Sequence, residues 1–133
     1  AICSAMNLSA LESAPGAMYA SARVSNGLVF VSGQIGVDTA SSAPAPSFDA
    51  QMTEALSRLE RVLAQAGSSV AHIQRATVYV TDPANLATMN RLYREFFDKH
   101  AAALPARSLV PGLNFGNAIA FEIDVIAEQV ACD

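Results

Sequence analysis

Tryptophan is absent from this chain, and cysteine and histidine occur only twice each. His72 and His100 have no Cys, Asp or Glu at ligand spacing, so no metal site is expected. Cys3 and Cys132 stand near opposite ends and read as free thiols, since a disulfide would need the two ends to meet. Basic residues are scarce as well: 8 Lys and Arg against 12 Asp and Glu give a net charge of −4. A phosphate-backbone binder needs a basic face, so no nucleic-acid partner is expected. No apolar run approaches the roughly 20 residues of a membrane span. Residues 1–20 carry no basic stretch of the kind that opens a secretory leader, so a cytoplasmic location is expected. There is also no Gly-rich phosphate loop and no serine elbow.

What is present is apolar. Hydrophobic residues make up 52 % of the 133 positions and charged residues 15 %. That supports one packed domain over 1–133 and excludes disorder. So little charge also implies surface buried against other copies. No repeat or linker appears. Residues 39–47, rich in Ala, Ser and Pro, read as a surface loop.

Periodicity gives the elements. Apolar runs at 20–24 and 28–34 flank Ser25-Asn26-Gly27, a hairpin signal. Leu28, Phe30 and Ser32 are expected to face one way, and Val29, Val31 and Gly33 the other. Residues 48–66 repeat apolar positions at helical spacing. Ser47 or Asp49 caps that helix, Gly67 stops it, and Glu54–Arg58 forms an i,i+4 pair. A β-branched strand follows at 73–81. A second helix, capped by Asn85, buries Leu86, Met89, Leu92, Tyr93, Phe96 and Phe97. A short strand at 107–110 ends at Pro111-Gly112. The last strand, 118–130, is apolar on both faces and is placed centrally. The fold class is therefore α+β, ordered β-β-α-β-α-β-β, with a mixed sheet and two helices on one face. The other face, assigned Val29, Val31 and Ile123 or its neighbours, calls for a second copy of the chain.

Few residues carry chemistry. Arg107 offers a planar fork suited to a carboxylate; the alternative is a surface or interface ion pair, with Glu122 a candidate partner. Glu122 falls within an apolar strand, where a carboxylate must be paired, protonated or solvated in a cleft that could hold a water. Asp124 shares its face. Tyr19 and Ser32, the latter beside Gly33, can approach a ligand or serve ordinary strand hydrogen bonding. Asn90 on the second helix can bond substrate, backbone or water.

Taken in order, these pieces resemble the Rid family, the reactive intermediate deaminases also described as YjgF-type or L-PSP endoribonuclease-like. The matching segments are Val31-Ser32-Gly33-Gln34-Ile35, Ala66-Gly67-Ser68-Ser69, Thr77-Val78-Tyr79-Val80-Thr81-Asp82, Met89-Asn90 with Tyr93 and Phe96-Phe97, Pro105-Ala106-Arg107-Ser108, and the run from Phe121 to Ala127. The resemblance implies a chorismate-mutase-like fold, a homotrimer with clefts between subunits, and no metal or cofactor. It implies hydrolysis of 2-imino or enamine acids, such as 2-aminoacrylate, to a 2-keto acid and ammonia. Arg107 would clamp the substrate carboxylate and Glu122 would position water. Tyr19, Ser32, Gly33 and Asn90 would line the pocket. Other readings are a non-catalytic trimer that binds small carboxylates or protein partners, a pathway-specific (2-aminomuconate-like) enamine deaminase, and an endoribonuclease. The chain departs from the family pattern at Arg58, Leu109, Pro111-Gly112, Phe115-Gly116 and the 36–47 loop. These positions surround the cleft rim and bear on substrate size.

Overall fold

The structure is a computed structural model that describes residues 10–11, 16–38 and 40–130; Cys3 and Cys132 lie outside them. The elements are β1 (Ala10–Leu11), β2 (Ala22–Ser25), β3 (Leu28–Ile35), α1 (Phe48–Gln65), β4 (Ile73–Val80), α2 (Leu86–Lys99), β5 (Ala106–Pro111) and β6 (Phe121–Glu128). The strands form one sheet in the order β1-β2-β3-β6-β4-β5. Neighbours are antiparallel except β4 and β5, which run parallel. The mixed sheet with two helices agrees with the sequence reading. The two-residue β1 adds a strand that periodicity did not reveal, because two residues show no period.

Local chemistry explains the elements. Asn26 and Gly27 both take positive φ, 52° and 75°, and close the two-residue turn between β2 and β3. The Ser47 hydroxyl accepts a hydrogen bond from the Ala50 amide at 3.1 Å at the start of α1. Gly67, with φ 78°, ends that helix. Glu54 and Arg58 pair at 3.5 Å as expected. Asn85 makes no side-chain cap for α2. Asp82 caps the preceding 3-10 turn instead, accepting from the Ala84 amide at 2.9 Å. Pro83 starts that turn, which leads straight into α2 and removes the need for a fresh cap.

Both helices pack on one side of the sheet. Met52, Ala55, Leu59 and Leu63 of α1 and Met89 and Phe97 of α2 are buried against Val29, Ala76, Val78, Phe121, Ile123 and Val125. This corrects the expected faces: Val29, Val31 and Ile123 lie under the helices, and the uncovered face carries Phe30, Ile126, Glu122 and Asp124. β6 is central, as placed, but shorter than predicted and strictly alternating: its inward residues are buried and Glu122, Asp124 and Ile126 only half-buried. β5 runs through Pro111, which a sheet edge tolerates because no further strand needs its missing N–H.

One buried polar group ties the loops together. Gln51 donates to the carbonyls of Ala45 and Ala118 at 3.2 and 3.0 Å and accepts from the Ala120 amide at 2.8 Å. Gly36 lies so close to the Gln51 backbone that a Cβ there would overlap it. Gln51→Leu keeps the volume but leaves three backbone groups without their partner. It is expected to cost about 2–3 kcal/mol of stability, read as a lower urea midpoint with an unchanged slope.

Candidate active site

The site begins with an extra residue in β3. Val31 pairs with Val125 and Gln34 with Ile123, so three steps on β3 span two on β6. This bulge resets the alternation and turns Gly33 toward the uncovered face beside Ser32. The expectation that Gly33 faces with Val29 and Val31 fails for that reason. Gly33 packs against the Glu122 side chain: a Cβ would lie 2.7 Å from the carboxyl carbon. Only glycine leaves Glu122 this place.

Tyr19, Val31, Ser32, Gly33, Glu122 and Asp124 line one cleft of about 380 Å³. The Ser32 hydroxyl donates to the Ala20 carbonyl at 2.6 Å, fixing the strand ahead of the cleft. Burial, and next the charge of Asp124, push the Glu122 carboxyl above the usual carboxylate range. Tyr79, paired with Glu122 across β4 and β6, donates its hydroxyl to Asp124 Oδ2 at 3.0 Å. A larger cavity of about 500 Å³ adjoins through Tyr19 and Gly33 and reaches Arg58 and Asn117. Arg58 there donates to the Val37 carbonyl at 3.2 Å and so holds the loop that follows β3.

Arg107 lies elsewhere. It pairs with the buried Ala76 on β4, which sets its side chain on the helix side of the edge strand. Its Nη1 donates to Asn90 Oδ1 at 2.9 Å, with Met89 Sδ at 3.8 Å. Its guanidinium carbon stands 4.8 Å from the centroid of the Tyr93 ring. Asn90, Tyr93, Arg94, Leu104, Pro105 and Arg107 wall a cleft of about 430 Å³. A guanidinium steadied by an amide and a ring keeps a planar donor edge for a carboxylate.

The six residues expected from sequence therefore fall into two groups. Tyr19, Ser32, Gly33 and Glu122 meet in one cleft, and Asn90 and Arg107 meet in another. Arg107 and Glu122 lie on opposite sides of the sheet, so within one chain they share no pocket and form no ion pair. Tyr93 and Tyr79 were missed as site residues, because each reads as core. Tyr93 was detectable as the position three after Asn90 on one helix face. Among the described residues, no group of three His, Cys, Asp or Glu could hold a metal ion, and no helix is long and apolar enough to cross a membrane.

The family described as Endoribonuclease L-PSP matches residues 10–129. A protein of Salmonella typhimurium named 2-iminobutanoate/2-iminopropanoate deaminase is 36 % identical over 120 residues, spanning 89 % of this chain and 94 % of its own. The chain is a Rid-family protein. Among solved structures, the YjgF gene product of E. coli superposes with a TM-score of 0.80 at 29 % identity, covering 94 % of this chain and 98 % of that one. E. coli TdcF with bound serine does so with a TM-score of 0.80 at 29 % identity, covering 97 % and 98 %. This Rid protein thus keeps its relatives' fold, with Arg107 and Glu122 in two separate clefts of the single chain.

The raised proton affinity of Glu122 has a consequence for stability. The folded state holds this proton more tightly than the unfolded chain does. Its contribution is therefore favourable at low pH and is lost as pH rises from the ordinary glutamate range through the folded value. Glu122→Gln is expected to raise the melting temperature at pH 7, with the gain disappearing below about pH 4. Thermal unfolding of both proteins across that range checks it.

Proposed function

We propose that this Rid protein hydrolyses small 2-imino acids, and the enamines that tautomerise to them, to 2-keto acids and ammonia. The observation that carries the reading is the division of the site. A steadied guanidinium lies on one side of the sheet edge, and a half-buried carboxyl of raised proton affinity lies on the uncovered face. Each is half of what the reaction needs. A second copy laid on the uncovered face brings its Arg107 edge to the Glu122 cleft, and three such contacts close a homotrimer. The names of the imine-deaminase relatives support this, and serine bound to TdcF supports a ligand that carries a carboxylate.

In that cleft Arg107 holds the substrate carboxylate bidentately and orients the imine carbon. Water attacks that carbon while Glu122 takes one of its protons. The C=N electron pair moves to nitrogen, and Glu122 passes the proton there, giving a carbinolamine. The C–N bond then breaks. Its electron pair leaves with nitrogen, and the hydroxyl proton travels through Glu122 to complete ammonia as the carbonyl forms. Asn90 and Tyr93 hold Arg107, Gly33 leaves room for Glu122, and Tyr19 and Ser32 shape the wall. The adjoining cavity toward Arg58 leaves space for a substrate side chain.

RNA cleavage, which the family description names, is not favoured. Glu122 and Asp124 share the cleft, and the chain is acidic overall, so a phosphodiester would meet negative charge.

Two measurements test the reading. With an amino-acid oxidase generating 2-imino acids and semicarbazide as trap, wild type is expected to divert imine from the trap. Arg107→Lys, which keeps the charge but loses the fork, is expected to lose about 100-fold in kcat/KM. Wild type that leaves trapping unchanged would sink the deaminase assignment. The shared cleft has its own test. Inactive Arg107→Ala and Glu122→Gln proteins, mixed under conditions that exchange subunits, should regain activity, because some clefts then receive an intact Arg107 from one copy and Glu122 from another. Persistent inactivity after proven exchange would mean that both residues act from one chain.

A further inference from the structure

Asp124 has no part in the reaction just described, yet it shares the Glu122 cleft. It holds the next outward position on β6, and both carboxylates line that cleft. Tyr79 faces Glu122 across the strand pair but donates its hydroxyl diagonally to Asp124 Oδ2 at 3.0 Å. Phe115 packs edge-on against the Tyr79 ring, with centroids 6.3 Å apart. The hydrogen bond and the ring contact together hold the Asp124 carboxylate in one orientation.

The surroundings make that orientation matter. The titratable groups around Glu122 are Tyr79 from β4, Tyr19 from the segment before β2, and Asp124 from β6 itself. The β3 wall supplies only Ser32 and Gly33. Arg75, farther along β4, pairs with Ile126 and donates to the Ser108 hydroxyl. Among the described residues no lysine or arginine lines this cleft. In the proposed trimer Arg107 of a second copy enters, but the substrate carboxylate takes up its charge. The Tyr79 hydroxyl holds the Asp124 carboxylate in place beside Glu122, and a negative charge beside a half-buried carboxyl favours that carboxyl's protonated form.

We propose that Asp124, oriented by the Tyr79 hydroxyl, is a positioning residue that sets a fixed negative charge beside Glu122, so that Glu122 and not Asp124 carries the proton shuttled between water and the substrate nitrogen. This rests on the deaminase reading of the site. The upward displacement of Glu122, caused by burial first and by Asp124 second, agrees with it.

The test joins a pH–rate profile to a titration that needs no turnover, both on the assembled protein. Asp124→Asn removes the charge while an oxygen remains to accept from Tyr79. It is expected to move the acid limb of the kcat profile to lower pH, to lower kcat near neutrality about tenfold because Glu122 becomes a weaker base, and to leave KM within about twofold. Asp124→Glu should keep most of the activity, and Tyr79→Phe should act like Asp124→Asn but less strongly. The ¹³C carboxyl signal of Glu122, assigned by its loss in Glu122→Gln, should titrate at lower pH in Asp124→Asn than in wild type. An unmoved Glu122 titration, or equal losses in Asp124→Asn and Asp124→Glu, overturns the proposal. A moved titration in a wild type that hydrolyses no imine overturns the deaminase reading instead and leaves the charge coupling standing.

Discussion

The structure turns on the alternation of β6. This strand lies between β3 and β4, and its inward residues, Phe121, Ile123, Val125 and Ala127, are fully packed beneath both helices. Their burial pins the strand in register, since a one-residue slip would drive Glu122 and Asp124 into the core. The same constraint delivers the two carboxylates to the uncovered face at a fixed depth. Core and cleft are thus two sides of one strand.

The bulge in β3 completes what the alternation begins. Without it, the alternation would keep Gly33 on the helix side, and Gly33 is the residue whose missing side chain leaves room for the Glu122 carboxyl. One extra residue therefore opens the cleft and gives Glu122 a half-buried wall. The cost appears in the carboxyl itself, which holds its proton more tightly than in water. A group strained toward neutrality is a burden on stability and an asset to proton transfer, a trade expected at functional sites.

Arg107 follows a different logic. It stands on the parallel edge strand, where no further strand competes for its side. Asn90 and Tyr93, one helical turn apart on α2, hold the guanidinium from behind. The helix that closes the core thereby also holds the cation. Because β5 and β6 present their charged residues to opposite sides of the sheet, a single chain keeps the two apart, and that separation is what makes a second copy part of the proposed chemistry.

Much of this was legible in the residues. The Asn26-Gly27 turn, the Ser47 cap, the Gly67 stop and the two helical stripes are local signals, and local sterics and hydrogen bonding decide them without help from distant residues. Arg107 and Glu122 stood out because charge is rare in this chain. Tertiary structure decided the rest. It settled which face of each strand is inward, reversing the assignment of Val29, Val31 and Ile123, because a strand's pattern shows that two faces differ but not which one the helices cover. It created the β3 bulge, since an extra residue is defined only against the partner strand. It moved capping from Asn85 to Asp82, because the turn before α2 continues into the helix. It also parted Arg107 from Glu122, for the faces of two strands are related only through the sheet that joins them.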